Sequence, residues 1–255
     1  MRPATLIGLQ RYPVKGFSAE PLDEMTLEHG AFFPGDRIYA VENGPSGFDP
    51  SAPAYKPKTS FLVLMRHARL AALRTRFDPV GHVFHIDAGF QAVAGDLRTP
   101  DGRAAVEAFL TSYMSEEARG PLKVLAAPSG HRFTDSLRAG FVSLLNLASV
   151  RDLEARMGTA IDPARFRMNL HLDGWEPGAE LDLVGRTLGL GTARLKILKR
   201  TERCAATSVH PVSGARDLNV VKGLALAYGH TDCGVYARVE TGGRLAVGDA
   251  VRLLD

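Results

Sequence analysis

Leu181-Asp182-Leu183-Val184-Gly185-Arg186-Thr187-Leu188-Gly189-Leu190-Gly191-Thr192-Ala193-Arg194-Leu195-Lys196-Ile197-Leu198 sets the pattern of the second half of the chain: short apolar runs cut by glycines. Residues 181–184 and 193–198 read as strands, with Gly185, Gly189 and Gly191 as breaks between them. Residues 168–172, 235–239 and 250–254 read the same way, punctuated by Gly242, Gly243 and Gly248. Many short strands joined by glycine turns point to a closed or nearly closed β barrel, because closure leaves no strand edge unpaired.

Working back toward the N-terminus, Leu6, Ile7, Leu9, Tyr12 and Val14 form a loose apolar alternation that stops at Lys15-Gly16. Residues 25–27 and 37–41 read as further strands, the latter entered through Pro34-Gly35-Asp36. The Gly-, Pro- and Ser-rich stretch 43–58 reads as a loop. The apolar run 61–65 fits a buried strand, and 83–87 alternates like a half-buried one. Two helices stand out. One starts near Asp101, with Val106, Phe109, Leu110 and Tyr113 on one face. The other has Asn146 as N-cap, Leu147, Val150, Leu153 and Met157 at helical spacing, and Gly158 at the C-terminal cap. A seam falls between residues 120 and 133. The reading is a mainly β chain with a few helices (α+β), an N-terminal β-rich domain over 1–120 and a β-barrel domain over 121–255.

The 255 residues are 45% hydrophobic and 23% charged, with a net charge of +3, which is ordinary for a globular protein. The charge is too small, and too free of basic runs with interleaved aromatics, for a nucleic-acid partner. No apolar stretch approaches membrane-spanning length, and the first residues lack the apolar region of a signal peptide, so a cytoplasmic location is expected. Two cysteines fit a reducing compartment and exclude both a CxxC zinc ribbon and a four-thiolate iron–sulfur cluster.

Chemistry concentrates in Arg203-Cys204-Ala205-Ala206-Thr207-Ser208-Val209-His210-Pro211-Val212-Ser213-Gly214. Cations at 200 and 203 favour a thiolate, the form of cysteine that ligates metal, although most free cysteines are small buried hydrophobes. Thr207, Ser208 and Ser213 add hydroxyls, and the Pro211–Gly214 turn offers backbone N–H groups to an anion. His210 can exchange a proton near neutrality, or be an ordinary turn residue. Cys233, at the start of an apolar strand, reads as structural. Two other groups stand out. Lys15 ends a strand beside Gly16, where it either meets a phosphate or is solvated. Arg167 and Asn169, two apart at a strand start, share one face and suit a pterin edge, a phosphate or an exposed strand end. No G-x-S-x-G elbow and no dinucleotide fingerprint occurs.

In this order the pieces resemble the MOSC family, the molybdenum-cofactor sulfurase C-terminal domain. Tyr12-Pro13-Val14-Lys15 and Gly35-Asp36-Arg37 are similar to its N-terminal β domain, and Phe166-Arg167-Met168-Asn169 to its F-R-x-N element. Arg203-Cys204 with Thr207, Pro211 and Gly214 resembles the R-C-x-x-T core motif, and the stretch 243–249 resembles the family's closing G-x-[IL]-x-V-G-D. The likeness to amidoxime-reducing components implies that Cys204 ligates molybdenum. It also implies that Lys15, Arg37, Arg167, Asn169, Arg203 and Thr207 contact a pyranopterin cofactor between the two domains, and that His210 acts at the catalytic centre.

The implied activity is a molybdenum-dependent oxidoreductase that reduces N-hydroxylated small molecules with electrons from a separate reductase. The alternative is a non-catalytic carrier of the cofactor, or of its sulfur, on Cys204. A bare β-barrel module without metal is the third reading if Cys204 is buried. No iron–sulfur cluster and no pyridoxal phosphate are expected. The chain departs from the pattern at His210, where the family has aspartate, at Gly16, where mammalian members have serine, and at Ser213, in place of threonine. Imidazole for carboxylate changes local charge and proton supply, which bears on substrate more than on cofactor binding.

Overall fold

The computed structural model describes residues 2–136 and 140–255. The first half carries β1 (Ala4–Arg11), β2 (Glu20–Leu22), β3 (Glu24–Leu27), β4 (Tyr39–Asn43), β5 (Arg74–Asp78), β6 (Val83–Asp87), β7 (Ala92–Asp96) and α1 (Pro100–Met114). The second carries β8 (Leu122–Ala126), β9 (Val142–Asn146), α2 (Leu147–Met157), β10 (Leu170–Asp173), β11 (Thr187–Leu190) and β12 (Ala193–Glu202). It ends with α3 (Val220–Tyr228), β13 (Asp232–Thr241), β14 (Gly243–Ala246) and β15 (Ala250–Leu253).

Strands β10, β9, β13, β12, β11, β15 and β1 pair in that order, and β1 pairs back onto β10, so seven strands close a barrel with β2 added beside β1. Every pair in the ring is antiparallel except β9–β10, which α2 connects. The fold is mainly β with few helices, as the glycine-cut pattern predicts. Alternate side chains point inward: Leu6 and Leu9 from β1, Leu188 and Leu190 from β11, Leu195 and Ile197 from β12, and Val235, Ala237 and Val239 from β13 fill one apolar core. Each such aliphatic side chain contributes roughly 1.5–3 kcal/mol on burial.

β1 and β3 come from the first 30 residues but pair with later strands, β1 with β10 and β15, β3 with β14. A second core lies under the β5–β6–β7 sheet, the β4–β8 pair and α1, with Phe17, Leu62, Phe84, Val106 and Leu110 inside it. The chain therefore crosses from the barrel to the second core immediately after Tyr12, and Lys15 sits at that crossing. No helix among the described residues is long and apolar enough to cross a membrane.

Helix α2 has the expected caps: the Asn146 side chain accepts from the Ala148 N–H, and Gly158 is left-handed at φ 67°. Four readings change. Residues 181–184 lie not in a strand but in a 3-10 turn, Ala179–Leu183, whose Leu181 and Leu183 enter the barrel core. The strand of that hairpin is β11, because a short apolar run has no periodicity to separate turn from strand. Residues 61–64 are buried, but the run 61–65 forms only an isolated bridge, Phe61 to Glu42. Strand β4 begins at Tyr39 because Arg37 is left-handed at φ 49° and breaks the extension. Helix α3, with Asn219 accepting at its N-cap and Gly229 left-handed at its end, and strands β2, β5, β7 to β9, β11 and β14 are additional to the elements the sequence predicts.

Candidate functional site

Where the chain leaves β1, the Lys15 N–H donates to the Tyr39 carbonyl at 2.9 Å, tying the strand end to β4. The next residue must be glycine: Gly16 has φ +89°, and a Cβ there would lie 2.7 Å from the Leu62 carbonyl oxygen. The serine of related proteins could not occupy this backbone unchanged. The turn aims Lys15 inward, 5% exposed, where its ammonium donates to the Phe133 carbonyl at 2.9 Å and pairs with Asp135. Burial lowers the Lys15 pKa, and the Asp135 carboxylate opposes that shift.

Opposite, Asp36 accepts from the Tyr12 N–H at 2.8 Å and pairs with the Arg37 guanidinium. Arg37 also donates to the Arg167 carbonyl at 3.2 Å. Arg167 closes the 3-10 turn Pro163–Phe166 in a left-handed conformation, φ 54°, so strand alternation does not govern its direction as the sequence reading assumed. Its Nη2 is buried without a hydrogen-bond partner among the described residues. Burial pulls its guanidinium down to about 10. Arg203, just after β12, donates to the Phe166 carbonyl and contacts the Met168 sulfur at 3.3 Å.

Lys15, Arg37, Arg167, Asn169, Arg203 and Cys204 line one cleft between the barrel and the second core. Cys204 is partly exposed and precedes the 3-10 turn Ala205–Ser208. Near it, Lys58 sits above its ordinary range: burial lowers it, but the Cys204 sulfur and Asp135 more than reverse this. Counting Lys15, Lys58, Arg37, Arg167 and Arg203 against Asp36 and Asp135, cations outnumber carboxylates around the cleft. Arg165, also on the wall, is matched by Asp217 at 2.7 Å. No group of three or more His, Cys, Asp or Glu side chains among the described residues could hold a metal alone. A metal at Cys204 needs most of its ligands from a non-protein group.

Three predicted residues have other work. Most of the Asn169 amide is taken by the fold: Oδ1 accepts from the Ser143 N–H at 3.1 Å and hydroxyl at 2.8 Å, and one of the two Nδ2 N–H groups donates to the Gln10 carbonyl at 3.1 Å, while the residue still lines the cleft. Thr207 is 1% exposed and does not line the cleft; its hydroxyl donates to the Cys204 carbonyl at 2.9 Å and so holds the cysteine loop. His210 also lies off the cleft wall. Its Nδ1 accepts from the Val212 and Ser213 N–H groups, both at 3.2 Å. An aspartate oxygen at this turn would accept the same donors, so imidazole replaces carboxylate as a turn cap and not as a group facing Cys204.

Sequence reasoning missed Tyr12 as a part of the site, together with Asp135, Ser143 and Tyr236 of the cleft wall. Tyr236 carried only a strand-like pattern. Tyr12 was visible in the Tyr12-Pro13-Val14-Lys15 motif, but its partners come from residues 37 and 167, which only the fold brings to it.

The MOSC domain model matches residues 135–252 and the MOSC N-terminal beta barrel domain model matches residues 3–120; the chain belongs to this family. Among solved structures, the YuaD protein of Bacillus subtilis aligns over 98% of this chain and 94% of its own, at 12% identity and a TM-score of 0.47. YiiM from Geobacillus stearothermophilus aligns over 45% of this chain and 54% of its own, at 20% identity and a TM-score of 0.34. YiiM from Escherichia coli aligns over 45% and 54%, at 17% identity and a TM-score of 0.33. No curated protein matches the chain.

Proposed function

We propose that the cleft holds a molybdenum cofactor and that the protein is an oxidoreductase for N-hydroxylated small molecules. The observation that carries this reading is the pairing of an accessible thiol, Cys204, with a surplus of desolvated cations, one of which, Arg167, keeps a buried N–H group without a partner among the described residues. An unpaired buried donor of this kind costs about 1–3 kcal/mol, and an anionic ligand removes that cost. The donor set fits the group: a soft thiolate for the metal and guanidinium forks for a phosphate.

Cys204 would ligate the metal, Arg37 and Arg167 would hold the anionic end, and Lys15, tied to Asp135, would add positive potential from the floor. When bound, the cofactor supplies a two-electron redox centre able to take oxygen from an N–O bond. The net reaction consumes the N-hydroxylated compound, two electrons from a separate reductase and two protons, and yields the reduced nitrogen compound and water. The chain holds Cys204 at the cleft, and Thr207 and Arg165 hold the loop that presents it: Thr207 bonds the Cys204 carbonyl, and Arg165 donates to the Thr207 carbonyl at 3.5 Å.

The test is protein made in a cofactor-competent host, assayed for molybdenum and for reduction of an N-hydroxylated substrate driven by an artificial donor. Metal and turnover support the reading. Metal without turnover on any such substrate selects the carrier. Absence of metal from folded protein rejects the oxidoreductase and the cofactor carrier, and leaves only a carrier of sulfur on Cys204.

A further inference from the structure

Tyr12 packs behind two of the cleft arginines and has no role in the reading above. It is 1% exposed and sits at the end of β1, where the chain leaves the barrel. Two guanidinium groups lie against its ring: Arg167 at 4.4 Å and Arg37 at 5.0 Å from ring centroid to guanidinium carbon. Both arginines have positive φ, 49° for Arg37 and 54° for Arg167, a conformation rarely populated by residues with a side chain. Two like charges held close, each on a strained backbone, require something to hold them. The backbone supplies part of it: Arg37 N–H to the Tyr12 carbonyl at 2.7 Å, and Tyr12 N–H to Asp36 at 2.8 Å. The Asp36 carboxylate and the Arg167 carbonyl hold the Arg37 guanidinium, and the Tyr12 π face, which attracts cations, is the one contact common to both arginines.

The hydroxyl takes no part in this. Tyr12 Oη is buried without a hydrogen-bond partner among the described residues, and burial pushes its pKa up to about 12, so it stays a neutral phenol. We infer that the Tyr12 ring is a positioning platform: it fixes the Arg37 and Arg167 guanidinium groups side by side in a geometry pre-formed for one phosphate-type anion. The inference rests on the cofactor reading for the identity of the natural ligand, but not for the geometry. A simple phosphate dianion should feel the same platform.

The platform predicts different outcomes for the ring and the hydroxyl. Tyr12→Leu removes the π face, and Tyr12→Phe keeps it. Inorganic pyrophosphate is titrated into unloaded full-length protein by calorimetry, and its effect on the thermal midpoint is recorded, with circular dichroism to confirm the fold. In parallel, pterin retained per folded chain is measured on protein from the cofactor-competent host, as the fluorescent oxidation product. Tyr12→Leu should weaken pyrophosphate binding by about tenfold or more, lose most of the anion-induced midpoint shift and retain less pterin. Tyr12→Phe should rescue all three.

A merely structural ring would lower the midpoint of Tyr12→Leu but leave the anion-induced shift and the affinity as in the parent, and that result overturns the inference. Loss of binding in Tyr12→Phe overturns it too, since the hydroxyl would then be the working group. If the parent binds pyrophosphate through this platform but never carries pterin, the positioning role stands and the cofactor reading fails.

Discussion

Cys204 and Cys233 flank the same barrel and differ in almost everything else. Cys204 follows β12, is partly exposed and faces a basic cleft. Cys233 opens β13, is 2% exposed and packs with Leu145, Phe166, Met168 and Leu224 in the layer under α2 and α3. Burial there pushes its thiol up to about 12, with the nearby Glu180 adding to the shift, so it stays protonated and unreactive at neutral pH. A thiol becomes a ligand or a structural hydrophobe according to its surroundings, and here the surroundings are set by whether the loop after a barrel strand opens toward the second core or folds under the helices.

The most severe test of this contrast is metal content. Cys204→Ser should reduce molybdenum to background, because a hydroxyl is a hard and weakly acidic ligand, whereas Cys233→Ala should keep it. Alanine is the better control at 233, since serine would bury a hydroxyl among apolar side chains. Equal metal content in the two variants, by elemental analysis of folded protein, would end the assignment. The same comparison can be made without metal: a thiol reagent should modify Cys204 in the folded protein and reach Cys233 only after unfolding.

The next test separates binding from stability. Arg167 is held charged against burial, so Arg167→Gln should stabilise the unloaded protein by about 1–3 kcal/mol while weakening retention of pterin and of pyrophosphate. Chemical denaturation and ligand retention on the same preparation should move in opposite directions. If both fall, Arg167 is a structural residue and the cleft loses its anion site.

A smaller effect follows from Cys233 itself. Its folded pKa is raised, so its contribution to stability is complete below the unfolded value of about 8.5 and is lost as pH climbs toward 12. At a limiting slope of about 1.4 kcal/mol per pH unit, and with the unfolded thiol only half ionised at pH 8.5, the parent should lose about 1.5 kcal/mol more than Cys233→Ala between pH 8.5 and 10. Parallel denaturation curves for the two proteins across this window would show that Cys233 is not held protonated.

The smallest change is expected at His210. Its ring nitrogen accepts two turn N–H bonds that a carboxylate could equally accept, so His210→Asp should leave molybdenum content unchanged, stability within about 0.5 kcal/mol, and the pH–rate profile superimposable. A displaced limb in the substrate-reduction profile would return His210 to the catalytic centre.

The sequence by itself determined the β-barrel class, the caps of α2, the Arg203-Cys204 chemistry and the motifs whose cations line the cleft. These are local matters: a two-residue period, a glycine where the chain turns, a cap residue, a cation beside a thiol. Tertiary structure alone decided the rest. It put β1 and β3 in contact with strands from residue 170 onward, turned residues 181–183 into part of a 3-10 plug of the barrel, and set the Asn169 amide to bracing β1 and β9. It also left Arg167 with a donor that has no partner among the described residues, and brought Tyr12 beneath two arginines that lie far apart in sequence. The physical reason is that a side chain's type records which bonds it can make, whereas which of them remain available depends on the groups that long-range packing sets beside it.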